Sequence, residues 1–263
     1  LDVLQGAGPG GTGGFLQGVV DPNALGMMGL SSGALLSVMM AGGSTPLGSS
    51  PDSRVRTIMP LGLPLVPVQE SDLGRIDVPV LFSVGTDDLV TPPSVTRFAL
   101  DEVSSSPRTM ALLEGVFHRS FMADYCEKLQ SVGGVVMANG DDAFVEYLYF
   151  RDQFDHPRMG TALDYCTYQD FTEPLDLRPL VESLTGNVVT PANVPRATPL
   201  DEVHRITAAH TTAFFNWTLK NEPQYERFLL PNNAFPLVTM TRCFDNAAGT
   251  FCRVTGSEGY VRQ

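Results

Sequence analysis

A chain of 263 residues, 43% hydrophobic and only 17% charged, can bury a substantial core, which excludes a disordered chain. Its net charge of −12 argues against nucleic acid or an anionic membrane surface as a partner. No apolar run approaches the roughly 18 residues of a membrane-crossing helix, no stretch has the pattern of a signal peptide, and no repeat of 20–50 residues is visible.

Residues 1–23 are rich in glycine and end at the turn Asp21-Pro22-Asn23. Gly6-Ala7-Gly8-Pro9-Gly10-Gly11 matches the glycine pattern of a dinucleotide-binding loop. That pattern requires a strand before it and a helix after it. Five preceding residues are too few for the strand, and Thr12-Gly13-Gly14 and Pro22 break the helix, so no cofactor is expected.

The next segment carries the strongest signal. Ala24-Leu25-Gly26-Met27-Met28 reads as a buried strand, Ala34 to Met40 as a helix, and Gly29-Leu30-Ser31-Ser32-Gly33 between them as a tight turn of the form G-x-S-x-G. Small flanking residues suit a strained turn that holds the Ser31 hydroxyl out of the sheet. The Ser32 N–H then faces the place where an oxyanion would develop. The bland reading is a small-residue turn that packs a helix on a strand.

Downstream, Val55 to Pro60 begins another strand, and Leu61 to Val68 is a proline-punctuated apolar loop that lines either an acyl pocket or the core. Val78 to Gly85 reads as a buried strand followed by Thr86-Asp87-Asp88-Leu89-Val90-Thr91-Pro92, so two carboxylates stand on a loop; either is also suited to capping the next helix, Ser94 to Val103. Arg108 to Leu113 is a further strand, and His118 follows on a loop. Of the other three histidines, His156 lies in a polar acidic segment, and His204 and His210 fall in a predicted helix. Ser31, then an aspartate, then His118 is the chain order of a hydrolytic triad, in which the histidine relays the serine proton and the carboxylate orients the imidazole.

Residues 119–200 form an aromatic-rich insertion, with helical character from Asp141 to Phe154 and a proline-rich connector from Gly186 to Pro199. A lid over the site and an accessory layer with its own core are both open readings. A late helix runs through Ala213 to Lys220 and then Gln224 to Leu229, and Pro231 to Gln263 has strand-like pieces expected to form a disulfide-tied hairpin. The four cysteines, Cys126, Cys166, Cys243 and Cys252, lack metal-ligand spacing, so no metal site is expected. Their even number fits two disulfides and an oxidising compartment, secreted or periplasmic. Sequence neighbours favour Cys126–Cys166 and Cys243–Cys252, although four cysteines allow three pairings. Four reduced thiols are the alternative. Asn216-Trp217-Thr218 fits a glycosylation sequon but falls in a predicted helix.

From about Leu16 to Phe121 the chain resembles the C-terminal half of an α/β-hydrolase catalytic domain. His118-Arg119-Ser120-Phe121-Met122-Ala123-Asp124 resembles the histidine region of the platelet-activating-factor acetylhydrolase and dienelactone-hydrolase-like group, and the late helix resembles that group and the bacterial polyester hydrolases and cutinases. The resemblance implies an α/β fold, a mostly parallel sheet flanked by helices, as a single domain over 1–263 with an insertion at 119–200. It implies hydrolysis of a carboxylic ester, small or polymeric, through an acyl-serine intermediate. The family's aspartate stands just after its strand and before small or apolar residues and a proline, a register that selects Asp88, with Asp87 as the alternative. Ser31, Asp88 and His118 are thus the expected triad, and Ser32 N–H the expected oxyanion donor. Two departures stand out: Leu30 replaces the histidine that many relatives carry before the serine, and the insertion is long. The family also has several strands before its serine, one beside the serine strand, and a loop there that supplies a second oxyanion donor. Only 30 residues precede Ser31, so the expectation is a fragment or processed chain whose missing N-terminal segment acts as a companion. A non-catalytic hydrolase-like protein that binds a ligand or partner is the alternative function.

Overall fold

The computed structural model describes residues 21, 23–43, 51–64, 73–86, 88, 91–116, 118–122, 198, 200–247, 249–255 and 261–262. Seven strands form one mixed sheet in the order of the chain: β1 (Leu25–Leu30), β2 (Val55–Leu61), β3 (Val80–Gly85), β4 (Arg108–Leu113), β5 (Val238–Asn246), β6 (Gly249–Val254) and β7 (Val261–Arg262). Strands β1 to β4 pair in parallel, whereas β4–β5, β5–β6 and β6–β7 are antiparallel. An α/β architecture with flanking helices is as expected, but the described ladders are parallel and antiparallel in equal number. For β5 and β6 the reason is local: a short turn joins them, which permits only antiparallel pairing.

Among the described residues three helices flank the sheet: α1 (Ser32–Met40), α2 (Pro93–Glu102) and α3 (Leu200–Leu219). Because helices cover both faces, the central strands are apolar at successive positions rather than at alternate ones. Ile58, Val80, Phe82 and Val84 pack with Ala34 and Val38 of α1 and Ala99 and Leu100 of α2. Their strand neighbours Met59 and Leu81 turn to the other face, against Val203, Ile206, Ala213 and Phe214 of α3. At about 25 cal/mol per Å² of apolar surface, each of the fully buried Val, Leu, Ile, Phe and Met side chains contributes roughly 1.5–3 kcal/mol.

The late helix ends earlier than the sequence suggests. It begins at Leu200 with Asp201 and Glu202 in the first turn, where acidic side chains complement the helix dipole. It stops at Leu219, because Asn221 takes a left-handed backbone (φ 55°) and Pro223 opens a separate 3-10 turn, Pro223–Leu229. Arg242 on β5 fastens this turn to the sheet. Its buried guanidinium bonds Glu226 and lies between the rings of Trp217 and Phe244.

The hairpin expected in the last segment is present as β5–β6. Cys243 and Cys252 face each other across it and form a disulfide, both buried on the α1–α2 side. Cys126 and Cys166, the insertion apart from its two ends, the glycine motif of residues 6–11 and His156 lie outside the described residues. Among the described residues, β1 pairs only with β2, and Met28 on it and Leu36 on α1 are about half exposed, at 48% and 53%. No described helix is long and apolar enough to cross a membrane.

Candidate functional site

Four parallel strands end on the same edge of the sheet, and the expected site residues lie just past those ends. Ser31 follows β1, Gly62 follows β2, Asp88 lies shortly after β3, and His118 lies shortly after β4. Backbone hydrogen bonds continue the ladder one step beyond the strands. Ser31 N–H donates to the Leu61 carbonyl (3.0 Å), Gly62 N–H to Ser83 (2.8 Å) and Thr86 N–H to Leu113 (2.8 Å). The edge that carries the site is therefore held by the sheet itself.

Ser31 has φ 55° and ψ −114°, a conformation rare for a residue with a side chain. Strain of this kind costs on the order of 1–3 kcal/mol and persists only where the surroundings enforce it. Here β1 fixes one side, and Leu35 N–H, bonded to the Ser31 carbonyl at 3.0 Å, fixes the other. Gly29 is needed because a Cβ there would stand 2.4 Å from the Gly33 carbonyl carbon. Gly33 differs: a Cβ at that position meets nothing within 4 Å, so space does not account for the second glycine of the motif. Ser32 opens α1, and its N–H belongs to the first turn, whose amides have no intrahelical acceptor.

Asp88 and His118 are brought together and sealed. His118 Nδ1 lies 2.8 Å from Asp88 Oδ2, and the two residues are 4% and 1% exposed. Thr91 completes the cluster: its N–H donates to Asp88 Oδ1 (2.7 Å) and its hydroxyl to Oδ2 (2.8 Å), with Oγ1 3.2 Å from His118 Nδ1. An ionised carboxylate can only accept, so Nδ1 carries the imidazole proton and Nε2 is left as the acceptor. Asp88 is not a helix cap, for α2 begins after Pro92 and has no side-chain cap. Asp87 lies outside the described residues.

Two members of this cluster were not singled out in the sequence. Gly62 has φ +50°, and a Cβ there would stand 2.9 Å from both His118 Nδ1 and Thr91 Oγ1 and 3.0 Å from Asp88 Oδ2. A glycine at the end of a predicted apolar strand was the available signal. For Thr91 the signal was a hydroxyl three residues after an aspartate, a spacing at which side-chain and backbone bonds close on each other.

The other described histidines sit elsewhere. His210 is buried on α3 edge-on to Phe235, and neither ring nitrogen has a hydrogen-bond partner among the described residues. Burial pushes its pKa down to about 4, so the ring is neutral at pH 7. It borders an apolar groove of about 550 Å³ between α3 and the 3-10 turn, walled by Tyr225, Phe228 and Phe235, which none of Ser31, Asp88 and His118 lines. His204 lies on the same helix, its buried Nε2 also without a partner among the described residues. Asn216 is on α3, with Nδ2 donating to the Thr212 carbonyl. Among the described residues no three His, Cys, Asp or Glu side chains are grouped to hold a metal ion. No protein-family model and no curated protein sequence matches this chain.

Proposed function

We propose that this chain is a serine hydrolase of the α/β-hydrolase class that cleaves carboxylic esters. The observation that carries the reading is the buried His118–Asp88 pair on the same sheet edge as Ser31, whose backbone is held in a strained turn. A histidine–carboxylate pair excluded from water, on the sheet edge that also carries a serine, supplies the residue types nucleophilic acyl transfer needs. In the proposed reaction the Ser31 hydroxyl attacks the ester carbonyl while His118 Nε2 takes its proton. The tetrahedral oxyanion accepts the Ser32 N–H at the start of α1, where the helix dipole favours negative charge. His118 returns the proton to the leaving alcohol, and the acyl group stays on Ser31. Water, deprotonated by the same imidazole, then releases the acid. Asp88 keeps His118 in the tautomer that can accept at Nε2 and stabilises the imidazolium.

A buried disulfide, Cys243–Cys252, favours an oxidising compartment, so we place the protein outside the cytoplasm, secreted or periplasmic. The test is labelling with a fluorophosphonate probe followed by peptide mass analysis, alongside turnover of p-nitrophenyl acyl esters. Labelling at Ser31, and a loss of about 10⁴–10⁶ in turnover in Ser31→Ala and His118→Ala, are the expected results. A folded protein that neither labels nor turns over any ester is instead a ligand-binding relative without chemistry.

A further inference from the structure

We infer that Thr91 is a positioning residue of the site: its hydroxyl clamps the Asp88 carboxylate and sets how strongly that carboxylate holds the imidazole of His118. The kinetic consequences rest on the hydrolase reading; the geometry does not. Thr91 is 1% exposed, as is Asp88, so water cannot replace a donor removed from this cluster. One hydrogen bond leaves a carboxylate free to rotate about Cβ–Cγ. Thr91 supplies two, N–H to Oδ1 and hydroxyl to Oδ2, and so fixes the plane in which His118 Nδ1 meets Oδ2. Gly62 closes the remaining side with bare backbone.

The hydroxyl has an electrostatic effect as well as a steric one. Oδ2 accepts from Thr91 and from His118 at once, so part of its negative charge is already neutralised by a neutral donor. Removing that donor makes the carboxylate a stronger partner for the imidazolium and favours the protonated ring. His118 opens a 3-10 turn, His118–Phe121, against which α3 packs; the charged and titratable groups of α3 are Asp201, Glu202, His204, Arg205 and His210, and Glu114 stands on the loop before the turn. Glu114 is exposed, and Glu202 and Arg205 pair with each other at the surface. No hydrogen bond described for these groups reaches Asp88 or His118.

The experiment compares Thr91→Val, which keeps the shape and removes the hydroxyl, with Thr91→Ser, which keeps the hydroxyl. Steady-state kinetics on a p-nitrophenyl ester should show kcat lowered about tenfold in Thr91→Val with KM unchanged. The acid limb of its kcat/KM profile should move to higher pH by about half a unit. Thr91→Ser should stay within about twofold of wild type on both measures. Wild-type kcat and an unmoved limb in Thr91→Val overturn the inference, and so does equal impairment of both variants with the limb unmoved, which would assign the effect to the γ-methyl. Should Thr91→Val fold poorly, Thr91→Ala against Thr91→Ser makes the same comparison. An NMR titration of the His118 ring separates the two levels of argument. A midpoint that moves in a protein without ester turnover retains the clamp and discards the hydrolase; turnover with an unmoved midpoint does the reverse.

Discussion

His210 should make this fold lose stability between neutral pH and pH 5, before carboxylate protonation matters. The ring is 1% exposed, has no hydrogen-bond partner among the described residues, and faces the edge of Phe235 rather than a carboxylate. Burial alone lowers its pKa from 6.5 to about 4. Between those values the unfolded chain binds a proton that the folded one refuses, so unfolding becomes easier as pH falls. The full gap corresponds to about 3 kcal/mol, and about 2 kcal/mol of it should be lost between pH 7 and pH 5. The shifted carboxylates act lower. Arg54 holds Asp52 down to about 2, and Arg205 and Arg108 lower Glu202 and Asp245. Their contributions are present above the ordinary carboxylate range and fade only as pH drops through it toward the folded values. The assay is urea unfolding at pH 7, 6 and 5 of wild type and His210→Leu, an apolar replacement of similar volume. Wild type should lose about 2 kcal/mol over that range while the variant stays nearly flat. At pH 7 the variant should equal or exceed wild type, because it removes two buried polar atoms that have no partner among the described residues. Parallel losses in both proteins would show that another group titrates and that the reasoning about His210 is wrong.

Three further outcomes follow from the site and the hairpin. Asp88→Asn should lower kcat by roughly 10⁴ through the wrong His118 tautomer, with Asp87→Asn far milder; the opposite ranking in steady-state kinetics would transfer the role to Asp87. Gly62→Ala should cost about 10² in kcat, since its Cβ would enter the space of His118 Nδ1 and Thr91 Oγ1 at φ +50°. Near-wild-type turnover in that variant would mean that the cluster tolerates displacement. Replacing both Cys243 and Cys252 by Ser should reduce unfolding free energy by about 2–3 kcal/mol, from a sequence separation of 9 residues; peptide mapping without reductant that finds both thiols free would remove the premise.

Much of this architecture is legible from periodicity and chain order. Strands buried on both faces must be apolar at nearly every position, so Val80–Gly85 and Arg108–Leu113 stand out, and the small residues around Ser31 mark a tight turn between strand and helix. The hairpin and its disulfide are short-range and follow from local spacing. The end of α3 has a sequence signal as well: Lys220-Asn221-Glu222-Pro223 is polar and closes on a proline, and in the structure Asn221 turns left-handed and Pro223 opens a separate 3-10 turn. Which residue types stand past which strand ends can be read from the chain without the fold. The meeting of Asp88 with His118 was an expectation from the family register, whereas the clamp that Thr91 sets on the pair from the same loop appears only in the folded chain. Tertiary structure also decided that Gly62, 26 positions before Asp88 in the chain, must lack a side chain for all three to fit. The reason is physical: a close approach between strands is a property of sheet register and burial, and no local pattern encodes the distance between two chain segments that meet only when the core forms.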